Sequence, residues 1–391
     1  MSGDSLRVGF IPLADAAALI VAADKGFAAD EGLALDLVRE VSWSNVRDKL
    51  NIGLFDAAHV LAPVAIASSL GIGHIKMPLL VPFVLGANGN AITVSPALHS
   101  ALTLAADGGD VTDPKISAHA LARVVAERRK RGADPLTFGM TFPFSCHNYL
   151  LRFWMAAGGV DPDDDVRLVV LPPPYMVDSL SSRQVDGFCV GAPWNSVAVE
   201  LGIGHILHFG TDIVAQAPEK VLAVRAAWSA NRDDVLKRLV SALHQATLFV
   251  NDPNNLDELV GLLAAPKRIG VAPEIIERTF KGRLRVAPGE TFRTDPDYIL
   301  VGRKGAARPE PGDAAWLYAQ IVRWRQAPWS TDLLAAAKAC FRPDLYDVAV
   351  GATAALSAGP HQNIRAFAGP PFHADDVEAY LAALKAAPQS R

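Results

Sequence analysis

LTFGMTFPFSCHNYLLRFWMAAGGVDPDDDVRLVV, residues 136–170, reads as a short apolar strand, a polar turn, an apolar helix, a Gly-containing break and a second strand. LRVGFIPLADAAALIVAADKGFAADEGLALDLV, residues 6–38, has the same order of parts. The parallel continues. VRDKLNIGLFDAAHVLAPVAIA, residues 46–67, matches MVDSLSSRQVDGFCVGAPWNSVAV, residues 176–199. A constant offset of 130 residues pairs Asp56 with Asp186 and Pro63 with Pro193. That period is far too long for a solenoid. Two copies of βαβαβ imply two similar α/β domains, each built on a mainly parallel sheet.

Between the copies, IKMPLLVPFVLGANGNAITVS reads as strand, Gly/Asn turn, strand. A helical link follows, roughly residues 115–132. After the second copy, EKVLAVR reads as one more strand. The chain is therefore expected to cross between domains near residues 95–100 and again near 208–216. This predicts a discontinuous first domain, 1–98 with 214–391, and a second domain, 99–213. From about residue 226 the pattern is mostly helical, with i, i+3, i+4 apolar stripes in RDDVLKRLVSALHQATLFV, NLDELVGLLAA, GDAAWLYAQIVRWRQA and DVEAYLAALKAA. These helices are expected to pack around the first domain. Open α/β sheets bind ligands at the carboxyl ends of their strands, so a cleft between the two domains is the expected site.

Composition narrows the function. The 391 residues are 50% hydrophobic and 20% charged, with a net charge of −4, as in an ordinary soluble globular protein. The densest basic run, Arg128 to Arg131, closes a helical stretch and complements its dipole. Direct nucleic-acid binding is not expected. Cys146, Cys189 and Cys340 are scattered without metal-ligand spacing, and their odd number suits a reducing compartment. MSGDSLRVGFIPL enters a strand pattern at once, without the parts of an export signal, and no apolar run reaches the roughly 18 residues of a membrane span. The expected location is cytoplasmic.

Four places carry candidate binding groups. His147 falls in the first helical turn of the second copy, where the first copy has Ala17; read plainly, it is a helix-start imidazole in water. Ser145 and Asn148 are able to cap that helix. Trp43, between Ser42 and Ser44, reads as the end of the second strand, a part-buried aromatic whose indole N–H only donates. Asn88 and Asn90 flank Gly89, where turn chemistry alone accounts for them. Lys220 follows Glu219, with which it is able to pair, and by type it belongs on the surface. Together they offer an ammonium, an imidazole, an indole N–H, an amide and a helix N-terminus. That is a set of donors, suited to a small acceptor-only oxyanion such as nitrate or nitrite. Bicarbonate carries an O–H and would want an acceptor at position 220. Ser145-Cys146-His147 forms no evident catalytic set. Asp161, Asp163, Asp164 and Asp165 read as a solvated turn, and phosphate-binding glycine motifs are absent.

Five segments carry a family resemblance: SWSNVRDKLNIGLFDAAHVLAP, FWMAAGGVDPDDDVRLVVLPPPYMV, VDGFCVGAPWN, APEKVLAV and FRPDLYDVAVG. In this order they resemble the nitrate- and bicarbonate-binding proteins of ABC importers, the NrtA/CmpA type. The resemblance implies an α/β, two-domain, periplasmic-binding-protein-like fold of the type II, Venus-flytrap kind, with additional C-terminal helices. It implies an anion site of Trp43, Asn90 (or Asn88), His147 with the Asn148 backbone, and Lys220, without metal or cofactor. The lysine of PEK points to nitrate or nitrite, because the bicarbonate branch tends to be acidic there and uses calcium. With no export signal, the chain is most similar to the cytoplasmic nitrate/nitrite sensor branch, NasS. That branch implies a NasT-type RNA-binding antiterminator as partner, with no membrane and no nucleic acid bound directly. Two alternatives stand beside this one: the substrate-binding component of a nitrate or bicarbonate importer, and an enzyme like the thiamine pyrimidine synthase of the same fold.

Overall fold

The computed structural model describes residues 4–351 and 364–386. In chain order its strands are β1 (Asp4–Phe10), β2 (Leu33–Arg39), β3 (Ala57–Leu61), β4 (Leu79–Asn88), β5 (Asn90–Val94), β6 (Thr137–Met140), β7 (Arg167–Val170), β8 (Gly187–Gly191), β9 (His205–Phe209), β10 (Val214–Ala215), β11 (Pro218–Arg225), β12 (Arg283–Arg285), β13 (Phe292–Thr294), β14 (Ile299–Leu300) and β15 (Arg365–Ala366). Among the described residues the chain divides into two compact units. The first comprises 4–88, 217–277 and 299–351; the second comprises 89–216, 278–298 and 364–386.

The first unit is built on a six-stranded sheet ordered β14-β4-β11-β3-β1-β2. β1 runs parallel to β2 and β3, whereas β11 enters antiparallel between β3 and β4. β3, AAHVL, is buried at every position, as expected of a strand covered on both faces. The short helix Ala17–Asp24 packs on Asp233–Asn251 and Leu256–Ala264, and Ala62–Leu70 packs on Pro311–Arg323 and Thr331–Cys340. These carboxy-terminal helices thus lie against the first unit, as their apolar stripes require. The last helix, Val377–Ala386, does not; it belongs to the second unit, with residues 278–298.

The second unit has a five-stranded sheet ordered β7-β6-β8-β5-β9, with β6 parallel to both β7 and β8 and β5 antiparallel between β8 and β9. The helix Pro114–Lys130 packs on Cys146–Ala157 and begins at Asp113, whose carboxylate accepts from the N–H groups of Lys115 and Ile116. Its basic end is tied down: Arg129 pairs with Asp165 at 2.5 Å. The acidic run is a hydrogen-bonded turn, with Asp163 N donating to Asp161 and Asp161 N donating to Asp165.

The duplication is physical. In the first unit Asp56 Oδ2 accepts from Arg7 N at 2.9 Å while Asp56 N donates to Arg7 O at 2.9 Å. In the second, Asp186 repeats both bonds with Thr137, each 2.8 Å. Arg7 and Thr137 are again 130 residues apart. A carboxylate at the start of one strand closes the backbone of its parallel neighbour in both copies.

Two readings of the sequence need correction. β4 and β5 are both strands, but they do not form a hairpin. The chain leaves the first sheet at Asn88 (φ 61°) and Gly89 (φ 82°), both left-handed, and β5 joins the second sheet. A Gly/Asn pair serves a crossover as well as a turn, because all it supplies is positive φ. The first crossing thus falls ten residues before the expected 98/99 boundary, and the return falls between Gln216 and Ala217 instead of 213/214. Secondly, β2 ends at Arg39, and Trp43 opens a helix, Trp43–Asn51, capped by Ser42 Oγ accepting from Asn45 N. Ser-x-x-Asn is an N-cap spacing that the strand reading passed over.

Candidate functional site

Register places the candidates in related slots. In the first unit β11 pairs Lys220 with Leu61; in the second, β5 pairs Asn90 with Gly191. Leu61 and Gly191 are 130 apart, so Lys220 and Asn90 hold the same position in the two copies, each on the strand that enters its sheet antiparallel. The same offset pairs Asp15 with Ser145, Ala17 with His147 and His59 with Cys189.

In the first unit Lys220 is fully buried, not a surface lysine. The β4–β11 register shifts on both sides of it, and the resulting irregularity brings neighbouring side chains together. Lys220 Nζ lies 3.0 Å from Glu219 Oε1 and 3.1 Å from Asp15 Oδ2. It also stands 5.5 Å from the centre of the Trp43 ring, within cation–π range. Asp15 reaches the lysine from the turn Ala14–Ala16, and Gly86 on β4 makes room: a Cβ at Gly86 would sit 2.7 Å from Asp15 Cβ. His59, on β3, places Nε2 3.0 Å from Asp15 Oδ1, off the line of a good hydrogen bond, and its Nδ1 accepts from Ile11 N at 3.4 Å. Its ring meets Trp43 edge-on at 5.3 Å.

Electrostatics follow from that packing. Burial alone would depress the Lys220 ammonium, but the carboxylates of Asp15 and Glu219 outweigh it and raise the pKa above that of an ordinary lysine. Burial would raise Asp15, yet Lys220 and then His59 hold its carboxyl below the usual range. His59 goes down, because burial prevails over the pull of Asp15. At neutral pH the Asp15 carboxylate therefore faces the Lys220 ammonium, beside a neutral His59 imidazole. The donor-only site expected from the sequence is therefore corrected: acceptors stand directly beside the lysine, and Lys220 and Glu219 do pair.

Trp43 is 2% exposed, and its indole N–H has no hydrogen-bond partner among the described residues. A buried donor without an acceptor costs roughly 1–3 kcal/mol, so it marks a place where a ligand or water belongs. The Trp43 N–H and the Lys220 ammonium are both donors of this buried group, a chemistry that suits an acceptor-only guest.

In the second unit His147 is buried, not the solvated imidazole of the plain reading. Thr141 Oγ1 and His147 Nδ1 are 2.9 Å apart, which fixes the ring at the start of the helix Cys146–Ala157. Ser145 is the cap, accepting from Asn148 N at 3.1 Å. The Asn148 side chain donates to Pro143 O and accepts from Arg152. Asn148 is therefore committed to building the helix start, and its backbone N–H is engaged in the cap. Asn90 is buried on β5 and Asn88 on β4. No group of three or more His, Cys, Asp or Glu residues able to hold a metal occurs among the described residues.

Sequence reading missed Asp15 and His59. Each looks ordinary in a small or apolar segment, and only the fold brings them to Lys220.

The NMT1-like family model matches residues 2–264, most of both units. The chain belongs to the NMT1-like family. Among relatives of this NMT1-like protein, the nitrate/nitrite binding protein NrtA of Synechococcus elongatus is 30% identical over 392 residues, covering 97% of this chain and 86% of the relative. The nitrate import ATP-binding protein NrtC of Synechocystis is 32% identical over 384 residues, and there the chain spans 54% of the relative's length. The crystal structure of the periplasmic nitrate-binding protein NrtA from Synechocystis covers 98% of both chains at 28% identity and a TM-score of 0.87. The fold is accordingly that of a two-domain periplasmic binding protein with additional helices.

Proposed function

We propose that this NMT1-like protein binds nitrate or nitrite and serves as the substrate-binding component of an import system. The observation that carries the reading is the buried indole N–H of Trp43, without an acceptor of its own, beside the buried ammonium of Lys220. Relatives named for binding nitrate and nitrite support the choice of anion, and relatives named for nitrate import support the role. In the second unit, taken by itself, His147 is held by Thr141 and Asn90 occupies the slot equivalent to Lys220.

The reading is of a binder. Cys146 has no exposed surface, and His147 Nδ1 is engaged by Thr141, which argues against a thiol–imidazole catalyst. Bicarbonate is the informative competitor, because Asp15 and Glu219 supply the acceptor its O–H would seek. Calorimetric titration with nitrate, nitrite and bicarbonate tests the proposal. Saturable heat with nitrate or nitrite, lost in Lys220→Met, supports it; no binding of either anion would refute it.

The cytoplasmic sensor is the second reading, favoured by the resemblance to the NasS branch. It differs in its partner: a NasT-type antiterminator should be released by the anion and should weaken anion binding by the same factor. An importer component should instead stimulate its membrane transporter's ATP hydrolysis when loaded.

A further inference from the structure

His99 and His205, both in the second unit, lie outside the groups described so far. β5 ends at Val94, which pairs with His205 at the start of β9. The next residue, Ser95, caps the helix Pro96–Ala105, its Oγ accepting from Leu98 N at 3.2 Å, and that helix packs on β9 and on the helix Pro114–Lys130. His99, the fourth residue of the helix, thereby stacks on His205: the ring centres are 4.3 Å apart and the planes 17° from parallel, with both residues half-buried.

Two neutral imidazoles pack well in this geometry, whereas two imidazolium rings at the same distance repel. His99 also lies in the first turn of its helix, where the dipole opposes a positive charge. Burial lowers both pKa values, and His99 lowers that of His205 further. The elements packed around the pair supply no counter-charge. On the helix Pro114–Lys130, Asp113 is the cap, Glu127 pairs with Arg131 and Arg129 with Asp165, Arg123 donates to Ala105 O and Arg128 to Asp134 O, and the exposed Lys115, His119 and Lys130 are bases. On the β9 side, Glu200 pairs with Arg278 and Arg285, Glu290 with Arg285 and Asp212 with Arg293, while β5 carries no charged residue. We propose that the His99–His205 stack is an acid-sensitive latch between the helix Pro96–Ala105 and β9, closed while at least one ring is neutral and released when both are protonated. Both folded pKa values lie below the unfolded value of about 6.5, so the latch holds fully above that pH and weakens as pH falls toward the folded values. This device is independent of the anion reading.

The test follows the two imidazole NMR signals of the full chain as pH is lowered, together with amide hydrogen exchange corrected for its intrinsic pH dependence. In the wild type the pair should titrate in two steps, the second roughly one pH unit or more below the first. His99→Gln should leave His205 with a single step, above the second wild-type step. Between pH 7 and pH 5 the amides of Pro96–Ala105 should lose roughly tenfold or more protection in the wild type, beyond any loss in β8, and should keep it in His99→Gln. His205→Gln reads the same coupling from the other ring, and the wild-type curves decide alone if neither variant folds. Two independent titrations near the ordinary value of about 6.5 would overturn the latch. So would protection of Pro96–Ala105 that is no more acid-sensitive than that of β8, or a loss that persists unchanged in both variants.

Discussion

Lys220 Nζ and Asp15 Oδ2 stand 3.1 Å apart with neither side chain more than 3% exposed. The pair joins β11 to the turn before the first helix, residues more than two hundred positions apart in the chain. Removing one member of a buried ion pair leaves the other uncompensated, which typically costs about 3–5 kcal/mol. Lys220→Met should lower unfolding stability by about that amount. Lys220→Met combined with Asp15→Asn should be more stable than Lys220→Met alone. Urea denaturation of the single and double variants gives the coupling energy, and simple additivity would contradict a direct pair.

Gly86 exists for Asp15. A methyl group there would stand 2.7 Å from Asp15 Cβ, and the neighbour is too well packed to yield freely. Gly86→Ala should destabilise by about 1–3 kcal/mol through overpacking. It should also weaken anion binding, because the shift displaces the carboxylate that holds Lys220. Unchanged stability and affinity in this variant would show that the turn adjusts.

Stability should fall in acid. His208 is buried against Ser117 at 2.6 Å, and burial first, then Arg293, pushes its pKa down to about 3. Its unfolded value is about 6.5. Below that value the unfolded chain takes up a proton that the folded chain does not, so stability is complete above about pH 6.5 and is lost as pH falls toward the folded value. His59 acts in the same direction. Each such imidazole contributes a slope of up to about 1.4 kcal/mol per pH unit. Asp15, whose carboxyl is depressed, adds a further loss below its unfolded value of about 3.9. His208→Asn should remove its own share of the slope between pH 6 and pH 4, where His208 is protonated in the unfolded chain and not in the folded one. An unaltered slope would show that His208 is protonated when folded.

The repeated Asp clamps predict unequal losses. Asp186 makes its two bonds to Thr137, whereas Asp56 makes the same two to Arg7 and also accepts from Trp228 Nε1 at 2.9 Å. Asp186→Ala should cost about 1 kcal/mol for its lost side-chain bond, and Asp56→Ala about 2 kcal/mol, measured by thermal or urea unfolding. The reverse order would mean that the indole bond contributes nothing.

Much of this architecture was legible in the residues, because the duplication preserves positions that do the same physical work. Asp56 and Asp186 stood out at a fixed offset, and both prove to be the same backbone clamp. The strand exchange was not legible. LGANGN carries the chemistry of a tight turn, and nothing local distinguishes a hairpin from a crossover when both need left-handed residues. Trp43 was found but misplaced, because its cap, Ser42, was read as part of a strand. The buried charges were hardest. Lys220 was read as exposed from its type, although PEKVLAV is otherwise a buried strand. Asp15 and His59 gain meaning only where Gly86 allows the chain to close around them.

The central claim is that the Trp43 indole N–H donates to a bound oxyanion. The most direct measurement is the proton–nitrogen NMR signal of that indole, assigned by its disappearance in Trp43→Phe and followed as nitrate is added. The account predicts a downfield shift that saturates with the same dissociation constant as the calorimetric heat, and a Trp43→Phe affinity roughly tenfold weaker, the worth of one hydrogen bond to an anion. Saturable nitrate heat with the Trp43 signal unmoved would contradict it.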